Sequence, residues 1–339
     1  MNADEFAASC RYQAEWCQKL GSPLYQAILL KLADDVTGGR SWAAIEPYAR
    51  DERRTLLPLR LLAGVHRMVL TGELPELARY YPSAGGTANN RAAEVFLDTI
   101  ATRAIAIPTA VQTNEISRCC ALLPGFLEIA RRTTLPMRLM EIGCSAGLNL
   151  RWDRYHYATA NGGWGEADSP VQFPDVYSGK APAIATHVSI AGRNGCDLNP
   201  IDATTTNGRL DLLSFIWADQ VERFAALDRA IEIARRVPAA IDRANAMEWL
   251  ESKLAAPARG VVTVVFHSIV MMYLTPEQRA RVEKIVRDAG SCASDDAPLA
   301  WLQMEAGGEE TQVTLAFWPG GERIHIADAG FHGRTVSLK

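Results

Sequence analysis

Several short stretches place residues able to do chemistry at suggestive spacing. One is Glu141-Ile-Gly143-Cys-Ser145-Ala-Gly147-Leu-Asn149. A short apolar run enters a turn of small residues, and a helical pattern follows. Glycine permits tight backbone conformations and close approach of a ligand. The helix start beyond the turn offers N–H groups. At the carboxyl end of a strand, such a turn is a cradle for a nucleotide-like ligand. A second stretch, Gly195-Cys-Asp197-Leu198-Asn199-Pro200, falls at the expected end of the next strand. A carboxylate there can accept both hydroxyls of a ribose. After a third strand, Ala244-Asn245-Ala246 forms a small polar loop suited to an adenine ring, and Phe266-His267-Ser268 follows a fourth at the mouth of the cleft. An imidazole titrates near neutrality, so His267 is the leading general base, with Tyr273 and Glu115 behind it. Asn114, Glu115 and Arg118 could line the same cleft.

Each of these residues also has a plainer role. Asp-x-Asn-Pro is good turn chemistry, a histidine at a strand end is commonly a satisfied core group, and Asn114 or Thr113 could cap the following helix. The segment Gly143-Cys-Ser145-Ala-Gly147 also fits G-x-S-x-G, the nucleophile elbow of serine hydrolases. Ser145 would then attack, with Asp296 or Asp328 and a late His332 completing the set. That alternative leaves Glu141 and Asp197 without a role and lacks an upstream oxyanion-hole motif. A nicotinamide-dependent oxidoreductase fits less well, because the spacing is G-x-x-x-G rather than G-x-G-x-x-G. A non-catalytic nucleotide-binding sensor would use the same turn, since fold does not fix function. Cysteines at 10, 17, 119, 120, 144, 196 and 292 and six histidines show no metal-ligand spacing, so no metal is expected.

The elements that must position these residues fall into two parts. Residues 1–110 read as a helical domain or cap, with apolar residues at helical spacing in Ala3–Leu20, Pro23–Val36, Arg53–Leu70 and Arg91–Ala104. Pro108–Asn114 reads as a loop and Ile116–Arg132 as a further helix. From 111 to 339 strand and helix signals alternate, the signature of an α/β sheet. Strands are expected at Arg138–Ile142, His187–Gly192 or slightly later, Ala239–Arg243, Val261–His267, Leu299–Glu305, Gln312–Trp318 and Ile324–Asp328. Helices are expected at Leu148–Tyr155, Trp217–Arg235, Met247–Leu254 and Pro276–Ala289. The stretch 157–185 is too long for an ordinary connection and reads as an insertion, with a lid as one use. Trp152, Tyr155, Tyr157 and Trp164 cluster near it, where they could form an apolar substrate pocket or pack as core. Trp318-Pro-Gly-Gly321 reads as a hairpin turn.

With 339 residues, 48% hydrophobic and 22% charged, the chain can build a sizeable core. Its net charge of −4 gives no electrostatic case for nucleic acid or a membrane surface. The acidic start lacks a secretory pattern, and the apolar run Val261–Leu274 is too short to span a bilayer. A cytoplasmic location follows as the expectation, and the oligomeric state stays open.

The succession Glu141-Ile-Gly143-x-x-x-Gly147, Gly195-x-Asp197-x-Asn199-Pro200, Asn245-Ala246 and Val264 to Leu274 resembles that of Rossmann-like S-adenosylmethionine-dependent methyltransferases. The resemblance covers about residues 110–339. Gln112-Thr-Asn-Glu115 and Gly147 to Tyr155 are also similar to an uncharacterised bacterial family of unknown function. The methyltransferase resemblance implies a seven-stranded sheet with the last strand antiparallel, and S-adenosylmethionine as cofactor. Glu141, Gly143, Ser145 and Gly147 would line its methionine and ribose side. Asp197, with Leu198 beside it, would hold the ribose, Asn245 and Ala246 would border the adenine, and His267 would face the transferred methyl. The acceptor would be a small molecule, met by Asn114, Arg118, Trp152 and Tyr155. Three departures stand out: Ser145 replaces the middle glycine, Asn245 stands where many members have Asp, and the gap from Gly147 to Asp197 is long.

Overall fold

A computed structural model describes residues 1–50, 56–108 and 110–339. The expected helix start at Arg53–Thr55 and Thr109 of the expected loop lie outside the described residues. The helices are α1 (Ala3–Lys19), α2 (Pro23–Asp35), α3 (Trp42–Ala49), α4 (Leu57–Leu70), α5 (Pro75–Ala78), α6 (Arg91–Thr102), α7 (Arg118–Arg132), α8 (Thr206–Ser214), α9 (Val221–Arg236), α10 (Ala246–Lys253) and α11 (Pro276–Ser291). The strands are β1 (Met137–Ile142), β2 (His156–Thr159), β3 (Gly162–Trp164), β4 (Gln172–Phe173), β5 (Tyr177–Gly179), β6 (Ile190–Asp197), β7 (Ala240–Arg243), β8 (Val262–Ser268), β9 (Leu299–Ala306), β10 (Thr311–Trp318), β11 (Glu322–Ala329) and β12 (Val336–Leu338).

Two compact units result. The first comprises Met1–Thr113 and Thr205–Asp228 and is helical. The periodic faces of α1, α2, α4 and α6 bury Phe6, Ile28, Leu29, Leu61 and Phe96 in one core. The Thr205–Asp228 segment joins this unit, although its position in the chain had suggested the α/β part. Polar ties fasten it there. His66 is fully buried between the Ser214 carbonyl at 3.0 Å and the Ser83 hydroxyl at 2.7 Å. Asp219 accepts from the Ser22 hydroxyl at 2.6 Å and the Leu24 amide at 2.9 Å.

The second unit, Asn114–Thr204 and Arg229–Lys339, is built on a large sheet in the order β5-β12-β11-β10-β9-β8-β1-β6-β7. The run β7-β6-β1-β8-β9 is parallel throughout. The sheet differs from the seven-stranded expectation. It has nine strands, and β10, β11 and β12 each run antiparallel to the strand before. The cause is local. The links from β9 to β10 and from β10 to β11 are a few residues long, too short for the crossover a parallel pair needs. Trp318–Gly321 closes the second of these hairpins, with the Gly321 amide on the Phe317 carbonyl at 2.8 Å.

The 157–185 insertion forms strands of its own. β2, β3 and β4 make a small separate sheet, while β5 joins the edge of the large one beside β12. Its anchor is aromatic. Trp152 stacks on Phe126 at 4.2 Å and on Trp164 at 5.1 Å, and the Tyr157 hydroxyl bonds the Trp152 carbonyl at 2.8 Å.

Candidate functional site

In chain order the parallel strands lie 3-2-1-4-5, the arrangement of doubly wound nucleotide-binding sheets. The order reverses between β1 and β8, and in open α/β sheets ligands bind outside the carboxyl ends of the strands at that point. The turn after β1 sits there. Gly143, Ser145 and Gly147 all have positive φ, at +64°, +52° and +66°. Internal packing also demands the glycines. A Cβ on Gly143 would lie 2.6 Å from Val270 of the loop after β8, and one on Gly147 would lie 2.6 Å from Ile241 of β7.

β6 pairs Gly195 with Glu141 and Cys196 with Ile142, which sets Asp197 level with the turn. Asp197 accepts the Ser145 amide at 2.9 Å through one oxygen and the Asn199 amide at 2.8 Å through the other. It therefore clasps the first loop to the second. Leu198 beside it is 65% exposed. Asn245 caps α10 by accepting the Met247 amide at 2.9 Å, with Ala246 as the first residue of that helix.

Asn114 is buried, and it does not cap α7. Ser117 holds that position. The Asn114 side-chain oxygen instead takes the amides of Ala146 at 3.3 Å and Leu148 at 3.0 Å. Glu115 turns back on the hydroxyl of Ser117 and on its amide. Arg118 donates to the carbonyls of Ser268 at 3.2 Å and Phe331 at 3.1 Å, bridging the end of β8 and a loop near the C-terminus.

Two polar atoms of the turn region stay unmatched. Oε2 of Glu141 and Oγ of Ser145 are buried without a hydrogen-bond partner among the described residues. Glu141 is only 3% exposed. Burial pushes its carboxyl up to about 8, against the hydrogen bond with Asn149 and the positive charge of Arg151.

His267 is fully buried with both ring nitrogens engaged. Nε2 accepts from the Trp301 indole at 3.1 Å, so Nδ1 carries the proton and donates to Glu305 at 2.6 Å. A ring so held has no nitrogen left to take a proton from a substrate, and its expected role as base gives way to a structural one. Trp152 and Tyr155 are likewise 0% exposed, and the Tyr155 hydroxyl bonds the Leu148 carbonyl at 2.7 Å. They are core residues beneath the turn and cannot form a substrate wall. Tyr273 is 59% exposed, on the loop after β8.

Two residues with no expected role prove central. Arg151 is buried and donates to the carbonyls of Gly147 at 2.6 Å, Ala146 at 3.4 Å and Val237 at 3.0 Å. Its place in Gly147-Leu-Asn-Leu-Arg151, one turn beyond the glycine, was the available signal. Glu305 accepts from His267 and from the amides of Val270 at 2.9 Å and Met271 at 3.2 Å. Burial alone would raise its carboxyl, but these donors hold it below the usual range. Nothing local in the sequence marks it, because its partners are more than thirty residues away.

The serine-hydrolase geometry is not assembled. Ser145 Oγ meets no imidazole, and Asp296 sits just before β9, at the opposite end of the parallel strands from Ser145. Asp328 is held by His325 at 2.9 Å and by Lys339 at 2.5 Å. A fluorophosphonate probe is expected to leave Ser145 unlabelled in the folded protein, as read by intact mass. Stoichiometric labelling lost in Ser145→Ala would restore the hydrolase.

Among the described residues no helix is long and apolar enough to cross a membrane. One protein-family model, described as "Uncharacterized protein conserved in bacteria (DUF2332)", matches residues 7–337. No curated protein and no solved structure matches the chain.

Proposed function

The chain belongs to that bacterial family, and we propose that it is an S-adenosylmethionine-dependent methyltransferase with a small-molecule acceptor. The observation that carries this is the buried, unpartnered Oε2 of Glu141 below a positive-φ turn at the reversal of the strand order. A buried acceptor without a partner costs roughly 1–3 kcal/mol, so the site suits a ligand that brings donors. The ammonium and ribose hydroxyls of S-adenosylmethionine are such donors. S-adenosylmethionine supplies an electrophilic methyl group when bound.

Glu141 and Ser145 would meet its amino-acid end. Asp197 has lone pairs left beside its two backbone bonds and would take the ribose hydroxyls. Leu198, Asn245 and Ala246 would border the adenine. The chain's contribution to the transfer is then mainly the alignment of acceptor and methyl donor. Glu305 holds the loop Val270–Met271, and that loop braces Gly143, so the two loops keep a fixed separation. No base is assigned to His267, and acceptors whose nucleophile carries no acidic proton at neutral pH fit best.

Calorimetry with S-adenosylmethionine and S-adenosylhomocysteine tests this. Micromolar binding is expected for the wild type and at least a hundredfold loss in Gly147→Arg and Asp197→Ala. No binding to the folded wild type would sink the proposal. Binding without turnover across an acceptor screen would favour a sensor on the same fold.

A further inference from the structure

The turn after β1 has an unusual property for a nucleotide cradle: its amides are already taken. The Cys144 amide goes to the Cys196 carbonyl at 3.1 Å, Ser145 to Asp197 at 2.9 Å and Gly147 to the Cys144 carbonyl at 2.7 Å. Ala146 and Leu148 both go to Asn114. Five consecutive N–H groups thus point at the protein's own oxygens. Phosphate-binding turns work the other way, because they leave these donors free at a helix start to receive the anion. Here the segment beyond the turn, Leu148–Arg154, is two short 3₁₀ turns meeting at a kink at Arg151, and its start is stoppered by the Asn114 carboxamide. Of the charged groups at the turn, the Asp197 carboxylate sits on the Ser145 amide and repels phosphate, while the Arg151 guanidinium is spent on the carbonyls of Gly147, Ala146 and Val237. What stays unmatched at the site, Glu141 Oε2 and Ser145 Oγ, can accept from a ligand.

We infer that Asn114 sets the ligand class of this site: it occupies the place a phosphate would take, so the cradle admits a nucleoside bearing hydroxyl or ammonium donors and rejects nucleotides. This deepens the nucleoside reading above and rests on it. Asn114 acts as a specificity-determining residue. It reaches the turn from a segment 32 residues earlier in the chain.

The test compares adenosine, S-adenosylhomocysteine, ATP and inorganic pyrophosphate on the wild type, Asn114→Asp and Asn114→Gly. Calorimetry gives affinities, and amide NMR shifts of residues 144–148 report the turn. In the wild type, adenosine and S-adenosylhomocysteine are expected to bind, while pyrophosphate leaves the 144–148 amides unshifted. Asn114→Asp keeps both acceptor bonds and should stay blind to pyrophosphate. Asn114→Gly frees two amides, and its preference for adenosine over ATP should fall at least tenfold, with pyrophosphate now shifting Ala146 and Leu148. ATP binding the wild type as tightly as adenosine, with shifts at 144–148, would overturn the inference. So would an Asn114→Gly protein, folded by circular dichroism, whose discrimination is unchanged. If Asn114→Gly does not fold, the wild-type pyrophosphate titration still decides. If the wild type binds no nucleoside while Asn114→Gly gains pyrophosphate, the methyltransferase reading and the nucleoside half of this inference fail together, and the exclusion of phosphate by Asn114 stands.

Discussion

Glu141→Gln is expected to make the protein more stable above neutrality and worse at binding its ligand. The Glu141 carboxyl is buried, and desolvation pushes it up to about 8. In the unfolded chain it ionises near the ordinary glutamate value of about 4.3. The folded state thus holds a proton that the unfolded state has released. Below about pH 4 the group is protonated in both states and costs nothing. As pH rises from there to about 8 the unfolded state gains the advantage, and above 8 the full penalty applies. At about 1.4 kcal/mol per pH unit the penalty reaches roughly 3–5 kcal/mol at pH 8.5. Glutamine removes the titration while keeping the shape. Melting curves at pH 4.5 and 8.5 should show little change at the first and a rise of several degrees at the second.

Above pH 8, where the carboxyl is ionised, the same variant places a donor where the unmatched acceptor was. S-adenosylhomocysteine affinity should fall at least tenfold. A gain in stability with a loss of binding is the pattern of a functional site that carries a local cost. A variant whose melting temperature tracks pH in parallel with the wild type would show that Glu141 is not a buried titrating group. Unchanged affinity would remove it from the ligand site.

The second large effect concerns the support beneath the turn. Asp153 takes both terminal nitrogens of Arg193 at 2.6 Å, and Arg193 also donates to the Leu150 carbonyl. The two side chains are 12% and 7% exposed. This pair ties the segment Leu148–Arg154 to β6, the strand that carries Asp197. Asp153→Ala leaves the Arg193 guanidinium buried without its carboxylate, an outcome that costs roughly 3–5 kcal/mol. Urea unfolding should show this loss, and the double variant Asp153→Ala with Arg193→Met should recover much of it. Ligand affinity should weaken in the single variant although Asp153 is outside the cradle. A loss below about 1 kcal/mol would mean the pair behaves as an exposed one.

Much of the α/β unit was legible in the chain. The strands expected from 138, 239, 261, 299, 312 and 324 announce themselves as short apolar or alternating runs bounded by turn residues, and the turn Gly143–Gly147 does so through its small residues. The second parallel strand, expected at His187–Gly192 or slightly later, lies at Ile190–Asp197, where Gly192, Arg193, Asn194 and Gly195 give no apolar run to place it. These are local signals, set by backbone sterics and the period of burial. The proposed cofactor residues Glu141, Gly143, Ser145, Gly147 and Asp197 meet at one end of the sheet because each stands at, or just beyond, the carboxyl end of a strand in a parallel run. That juxtaposition comes with the alternation of strands and helices.

The tertiary structure decided the rest. Whether Asn114 caps a helix or stoppers the turn depends on where the segment before α7 meets the turn after β1, which no local pattern encodes. His267 is typed by its neighbours: with Trp301 on one nitrogen and Glu305 on the other it is a strut, and with open water it would have been a base. Trp152 and Tyr155 look like a substrate wall in the sequence and are core in the fold, because β2–β4 bring Trp164 against Trp152 and Phe173 against Tyr155. Thr205–Asp228 joined the helical unit through His66 and Asp219, contacts between residues more than a hundred positions apart. The sequence determined which residue types stand at the strand ends. Burial and long-range hydrogen bonds determined which of them are already held, and at the first turn they leave Glu141 Oε2 and Ser145 Oγ without a partner among the described residues.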